Sequence, residues 1–336
     1  MKTGLQHMGL GTSNVAASYG FYRDLLGYNI KIADKEKVWH ELESTLGELL
    51  DMRIIMAINS RGGGVIELVQ INSRSPIKAS TRWGDIGFLC NGFGVDNLPA
   101  VIRRLEELGA QFMVRSYPIR LASGERWESA FLTDPDGNVV ELIDTSPGTS
   151  RRPAVRGLEQ VTVGVRNIEK SMKFYHGILG FDEVILDAEG REPCLDTVFE
   201  GELKQRQVFL ATSQPARSPL VARGGGRVRL VQTLDYQGKK TFEGRLWGDI
   251  GQMEICFESD DIKATVGELE AKKMKIAHYP TYTDMGSGSK GYFAYVEDPD
   301  GNNIEFVEAK QILWMPRRIA LYVLKALSPV VTMLVR

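Results

Sequence analysis

The chain has 336 residues, 43% of them hydrophobic and 25% charged, an ordinary globular composition with room for about two domains. A formal charge of -2 and a pI near 6.2 exclude the basic footprint of a nucleic-acid binder. Cys90, Cys194 and Cys256 lie far apart with no CxxC spacing, which argues against structural zinc or a disulfide framework and for a reducing, cytoplasmic setting; Met1 to Leu10 carries no basic region followed by an apolar run, so no secretory signal is expected.

In chain order, Leu5 to Gly11 reads as a strand, Val15 to Leu26 as a helix closed by Gly27, and the segments up to Gln70 as further strands. After Trp83 the order restarts, with a strand from Asp85 to Asn91, a helix from Asn97 to Leu108 closed by Gly109, and strands ending in Glu141. The last of these follows T-D-P-D-G-N at Thr133 to Asn138. Pro there presets φ, Asp and Asn bond back to their own backbone, and Gly takes the left-handed corner. Alternation then sends Val140 and Leu142 to one face and Val139, Glu141 and Ile143 to the other.

The whole pattern occurs twice. S-Y-G-F-Y-R-D-L-L-G-Y around Phe21 matches S-M-K-F-Y-H-G-I-L-G-F around Phe174 at an offset of 153, and D-P-D-G-N at Asp134 recurs at Asp298 at an offset of 164. Trp83-Gly84-Asp85 likewise returns as Trp247-Gly248-Asp249, and Thr145 to Pro153 is a turn-rich polar linker. The expected domains are residues 1–148 and 154–310, followed by a tail over 311–336. Each domain reads as two rounds of strand, helix and about three strands.

These motifs resemble the vicinal oxygen chelate superfamily, which includes glyoxalase I, methylmalonyl-CoA epimerase, extradiol dioxygenases and fosfomycin resistance proteins. The resemblance covers about residues 3 to 309. It implies an α+β fold of tandem glyoxalase-like domains, in which four βαβββ modules form curved mixed sheets, or cups. It further implies a divalent metal, Mn, Fe, Co, Mg or Zn, chelated with a small-molecule substrate. Carried over position by position, the resemblance offers His7, Glu67, Asp85 and Glu141 in the first half, with Glu67 and Glu141 as candidate proton carriers. The second half offers Gln160, Arg229, Asp249 and Glu305, and a guanidinium cannot ligate a cation. If modules pair across the halves, the metal set becomes His7, Glu67, Asp249 and Glu305.

Several alternatives stay open at this level. Asp85 and Asp249 follow Trp-Gly in both halves, which suits a structural turn as well as ligation. Arg229 either holds a substrate anion or replaces a lost metal by pairing with carboxylates. The implied function is a metal-dependent isomerase, epimerase or lyase working through an enolate; the alternatives are a metal-free binder of the bleomycin-resistance type and a dioxygenase with atypical ligands. The tail, Gln311 to Arg336, has no acid and is basic and apolar; it reads as a helix starting at Pro316 and interrupted at Pro329. Peripheral contact with the inner face of a membrane is its first expected role, and docking on an apolar groove or a homodimer partner is the second.

Overall fold

The computed structural model describes residues 4–43, 48–78, 81–193, 195, 203–214 and 218–334. Four βαβββ modules follow one another. The first contains β1 (Gly4–Gly11), α1 (Val15–Asp24), β2 (Ile30–Val38), β3 (Asp51–Ile58) and β4 (Val65–Ile71). The second contains β5 (Gly87–Asp96), α2 (Leu98–Glu107), β6 (Phe112–Arg120), β7 (Arg126–Thr133) and β8 (Val139–Asp144). The third contains β9 (Ala154–Gly164), α3 (Ile168–Tyr175), β10 (Glu183–Arg191), β11 (Lys204–Ala211) and β12 (Arg227–Thr233). The fourth contains β13 (Gly251–Glu258), α4 (Ile262–Ala271), β14 (Ile276–Gly286), β15 (Ser289–Glu297) and β16 (Asn303–Ile312). A two-residue strand, β17 (Met315–Pro316), and the tail helix α5 (Arg317–Leu334) complete the order.

The modules pair across the sequence halves. One sheet runs β14-β15-β16-β13-β1-β4-β3-β2, joining the first module to the fourth, with β17 attached to β16; the other runs β10-β11-β12-β9-β5-β8-β7-β6, joining the third to the second. Within each module the first and last strands are parallel, and the modules meet through antiparallel first strands, β1 with β13 and β5 with β9. Each sequence half therefore gives one module to each cup, and the grouping of His7 and Glu67 with Asp85 and Glu141 is not formed.

The alternation expected from the sequence decides what each face does. Val140, Leu142, Ile304 and Phe306 join the large core under the helices, with Met8 and Leu10. Ile143 faces the interior of the second cup, among Trp83, Phe131 and Phe209. The two D-P-D-G-N turns fold alike: Asp134 Oδ1 accepts from the backbone N–H of Asp136 and Asn138, and Asp298 Oδ1 from those of Asp300 and Asn302. Gly137 and Gly301 take the positive φ that the corner requires. The other Asp134 oxygen accepts from Tyr22 Oη at 3.1 Å, and that of Asp298 accepts from Tyr175 Oη at 3.0 Å. The two most recognisable motifs of each half thus bond to one another, tying a helix of one sheet to a turn of the other.

The tail differs from expectation in two ways. Strand β16 continues to Ile312, so the boundary at 311 cuts a strand, and α5 runs past Pro329 without a break. A proline removes one backbone donor, a loss that an 18-residue helix can absorb. Ala320 and Leu324, one turn apart, are buried against the core of the first cup, and Arg317 pairs with Glu258 and Asp260. Part of the helix's apolar surface is therefore taken up by the protein's own core, while Ile319 and Tyr322 stay exposed. Among the described residues no helix is long and apolar enough to cross a membrane.

Candidate metal centre

In the first cup, β1 and β4 lie side by side and set Gly9 opposite Glu67, while β13 brings Glu254 opposite Gly9 and β16 brings Glu305 opposite Cys256. The result is a buried cluster of His7, Glu67, Glu254 and Glu305, whose ligand-type atoms all lie within 4.8 Å of one another. His7 Nε2 is 3.0 Å from Glu67 Oε2 and 3.0 Å from Glu305 Oε2. Yet His7 Nε2, Glu305 Oε2 and Glu254 Oε1 each lack a hydrogen bond of acceptable geometry. Buried polar atoms that converge without bonding one another are the arrangement a cation satisfies.

The surroundings orient this set. His7 Nδ1 lies 3.0 Å from Gln6 Oε1, an acceptor, so the ring proton belongs on Nδ1 and the Nε2 lone pair faces the carboxylates. Trp247 Nε1 donates to Glu254 Oε2 at 2.7 Å. Gly9 leaves the necessary room: a Cβ there would fall 2.6 Å from Glu254 Oε1. Burial, with the charges of Glu305 and Glu67, pushes the Glu254 carboxyl well above its usual range. Burial would hold His7 neutral, but Cys256, Glu67 and Glu305 outweigh it and raise the imidazole well above its ordinary value. A cation held by these residues would remove this conflict by replacing protons as the positive charge.

Asp249, expected from the sequence, is not in the cluster. Its carboxylate accepts from the backbone N–H of Leu246 and Ile77 and pairs with Arg74. Asp85 does the same in the other cup, accepting from the N–H of Arg82 and Lys239 and from Tyr236 Oη. Both are turn clamps. Glu254, the residue that sequence reasoning missed, has a simple signal. Each module carries one position eight residues before its first helical residue: His7 before Val15, Cys90 before Leu98, Gln160 before Ile168, and Glu254 before Ile262.

The second cup has the equivalent positions but different chemistry. Cys90, Gln160, Arg229 and Glu141 converge there, with Arg229 and Glu141 both fully buried and joined by a short ion pair. Gln160 Nε2 donates to the same Glu141 oxygen at 3.3 Å. The Arg229 guanidinium lies over the Phe209 ring at 4.7 Å and the Trp83 ring at 5.7 Å. Burial works against its charge, and Glu141 more than restores it, so the group remains a fixed cation. Of the cysteines, Cys90 and Cys256 are free and buried, and Cys194 lies outside the described residues.

The family model of the Glyoxalase/Bleomycin resistance protein/Dioxygenase superfamily matches residues 4–142 and 157–306. The chain belongs to this superfamily. A curated relative, glyoxalase I of Saccharomyces cerevisiae, is 25% identical over 227 residues; the match covers 66% of this chain and 63% of the yeast protein, less than two thirds of its length. The crystal structure of glyoxalase I from Zea mays superposes with a TM-score of 0.59 at 17% identity, covering 91% of this chain and 92% of the maize chain. A putative dioxygenase from Bacillus subtilis gives 0.53 at 15% identity over 91% of this chain and 84% of the other. At these identities the structural likeness speaks for the superfamily's fold alone.

Proposed function

We propose that this superfamily member is a metal-dependent isomerase of the glyoxalase I kind, acting on a small oxygenated molecule with an enolisable carbonyl. The observation that carries this reading is the convergence of His7, Glu67, Glu254 and Glu305 with three unbonded, buried ligand atoms. One imidazole and three carboxylates form a hard, oxygen-rich set suited to Mn²⁺, Fe²⁺, Co²⁺, Mg²⁺ or Zn²⁺. It departs from the two-histidine, one-carboxylate pattern of non-haem iron oxygenases, which favours isomerisation over oxygen insertion. When bound, the cation supplies a Lewis acid for a carbonyl and its neighbouring oxygen. The chain's own part is to move the proton. Glu67 Oε2 and Glu305 Oε2, both close to His7 Nε2, are the bases placed to carry it between adjacent substrate carbons. Trp247 fixes Glu254, and the apolar walls of the cup exclude water.

For the second cup we propose that Arg229 serves as an internal cation in place of a metal, with Glu141 as its counterion. The test of both statements is elemental analysis of chelator-free protein. One divalent ion per chain is expected in the wild type, and none in His7→Ala or Glu254→Ala. A metal-free wild type, or a bound ion indifferent to both substitutions, defeats the assignment.

A further inference from the structure

The pocket above the His7 cluster has an unusual distribution of charge. Its walls are apolar, built from Trp39, Met56, Leu220, Phe293 and Tyr295 among others. Its floor carries His7, Glu67 and Glu305, with Glu254 behind Trp247. Among the described lining residues Lys290 is the only lysine or arginine, and its side chain is 38% exposed and faces Asp284 at 3.3 Å. Two of the wall hydroxyls are already engaged: Thr283 Oγ1 donates to Glu41 at 2.7 Å, and Ser289 Oγ donates to the Ile32 carbonyl at 2.6 Å. Those two bonds also tie the cup's two edges together, since Ile32 lies on β2, Glu41 follows it, and Thr283 and Ser289 lie on β14 and β15.

We infer that the substrate of this site is a neutral molecule with an oxygen pair at one end and an apolar aromatic or alkyl body, and that anionic conjugates are excluded. This rests on the isomerase reading for the oxygen pair, whereas the exclusion of anions follows from the pocket alone. An anion would enter past a single lysine already paired with Asp284 and reach a floor built of carboxyl groups and one imidazole, where no lysine or arginine waits to pair with it. An apolar body gains from every apolar wall it covers.

The experiment uses the full chain stripped of metal and the neutral fluorophore N-phenyl-1-naphthylamine. The fluorophore should bind with saturation and be displaced by 1-hydroxy-2-decanone, with decanoate, of the same chain length, at least tenfold weaker. Met56→Trp, which fills the pocket, should abolish fluorophore binding. Lys290→Met, at the exposed rim, should leave both displacement constants within twofold, and it keeps the test sound if the tryptophan variant folds poorly. Equal or better displacement by decanoate, loss of binding in Lys290→Met, or no saturable binding would overturn the inference. Because no metal is present, these outcomes are separate from failure of the metal assignment, which elemental analysis reads.

Discussion

Arg229 and Glu141 show what a buried charge demands. Both are inaccessible to water, and each is tolerable only through the other, since an uncompensated buried ion costs several kcal/mol. Replacing Arg229 with Met is therefore expected to destabilise the fold by roughly 3–5 kcal/mol in urea denaturation. Adding Glu141→Leu should recover most of that loss, because the remaining site is then apolar; an undiminished loss in the double variant would show that the pair is not what the arginine serves. A second buried carboxylate sets a pH limit. Glu159 accepts from Arg156 Nε at 2.8 Å and faces Arg227 at 3.2 Å. Burial alone would raise its pKa, but Arg227 and Arg156 prevail and hold it below the usual range. A depressed carboxylate contributes stability above its unfolded value and loses it as pH falls through the folded one. Glu159→Gln should therefore flatten the acid limb of a stability profile below about pH 4 while lowering stability at neutral pH. An acid limb as steep as that of the wild type would place the limiting carboxylate elsewhere.

At the scale of elements, much of this fold is legible because its turns are chemically explicit. Asp-Pro-Asp-Gly-Asn admits one geometry, and the alternation after it assigns Val140 and Leu142 to the core under the helices without reference to any partner strand. The candidate site was only partly legible. His7 and Glu305 stand at positions that alternation and family resemblance both mark, Glu305 in the cross-paired alternative, and Glu67 at one that the resemblance marks. Glu254 escapes a repeat anchored on Trp247-Gly248-Asp249, a turn that holds itself together, because its position is marked only by the helix start eight residues further on. The tail is ambiguous in sequence for a related reason. An apolar stripe on a basic helix looks the same in sequence whether it meets lipid or the protein's own core, and here Ala320 and Leu324 meet the core. Neither motif reveals its partner, yet Tyr22 bonds Asp134 and Tyr175 bonds Asp298. Tyr22→Phe should cost about 1–3 kcal/mol by leaving a buried carboxylate oxygen without that donor, and Tyr175→Phe should cost a similar amount. Thermal denaturation of each variant measures it, and a shift in only one would mean that the two turns are not equivalent.

At the scale of the whole molecule, the pairing of modules decides which side chains meet, a question that sequence periodicity leaves open. Alternation is the same whether β1 pairs with β5 or with β13, because side-chain period carries no information about which distant strand lies alongside. Only pairing with β13 gathers two candidate ligands from residues before the linker and two from beyond it, so neither half alone can form the His7 cluster. The exposed linker, Thr145 to Pro153, should then be dispensable once folding is complete. A protease site placed between Pro147 and Ser150 should give, after cleavage, two fragments that co-elute as one species and retain the same divalent ion content per pair. Each fragment expressed alone should bind none, since His7 and Glu67 would lack Glu254 and Glu305. If the nicked fragments separated without denaturant, or if the first half alone held the metal, pairing across the halves would be wrong, and the site would have to be rebuilt from Asp85 and Glu141.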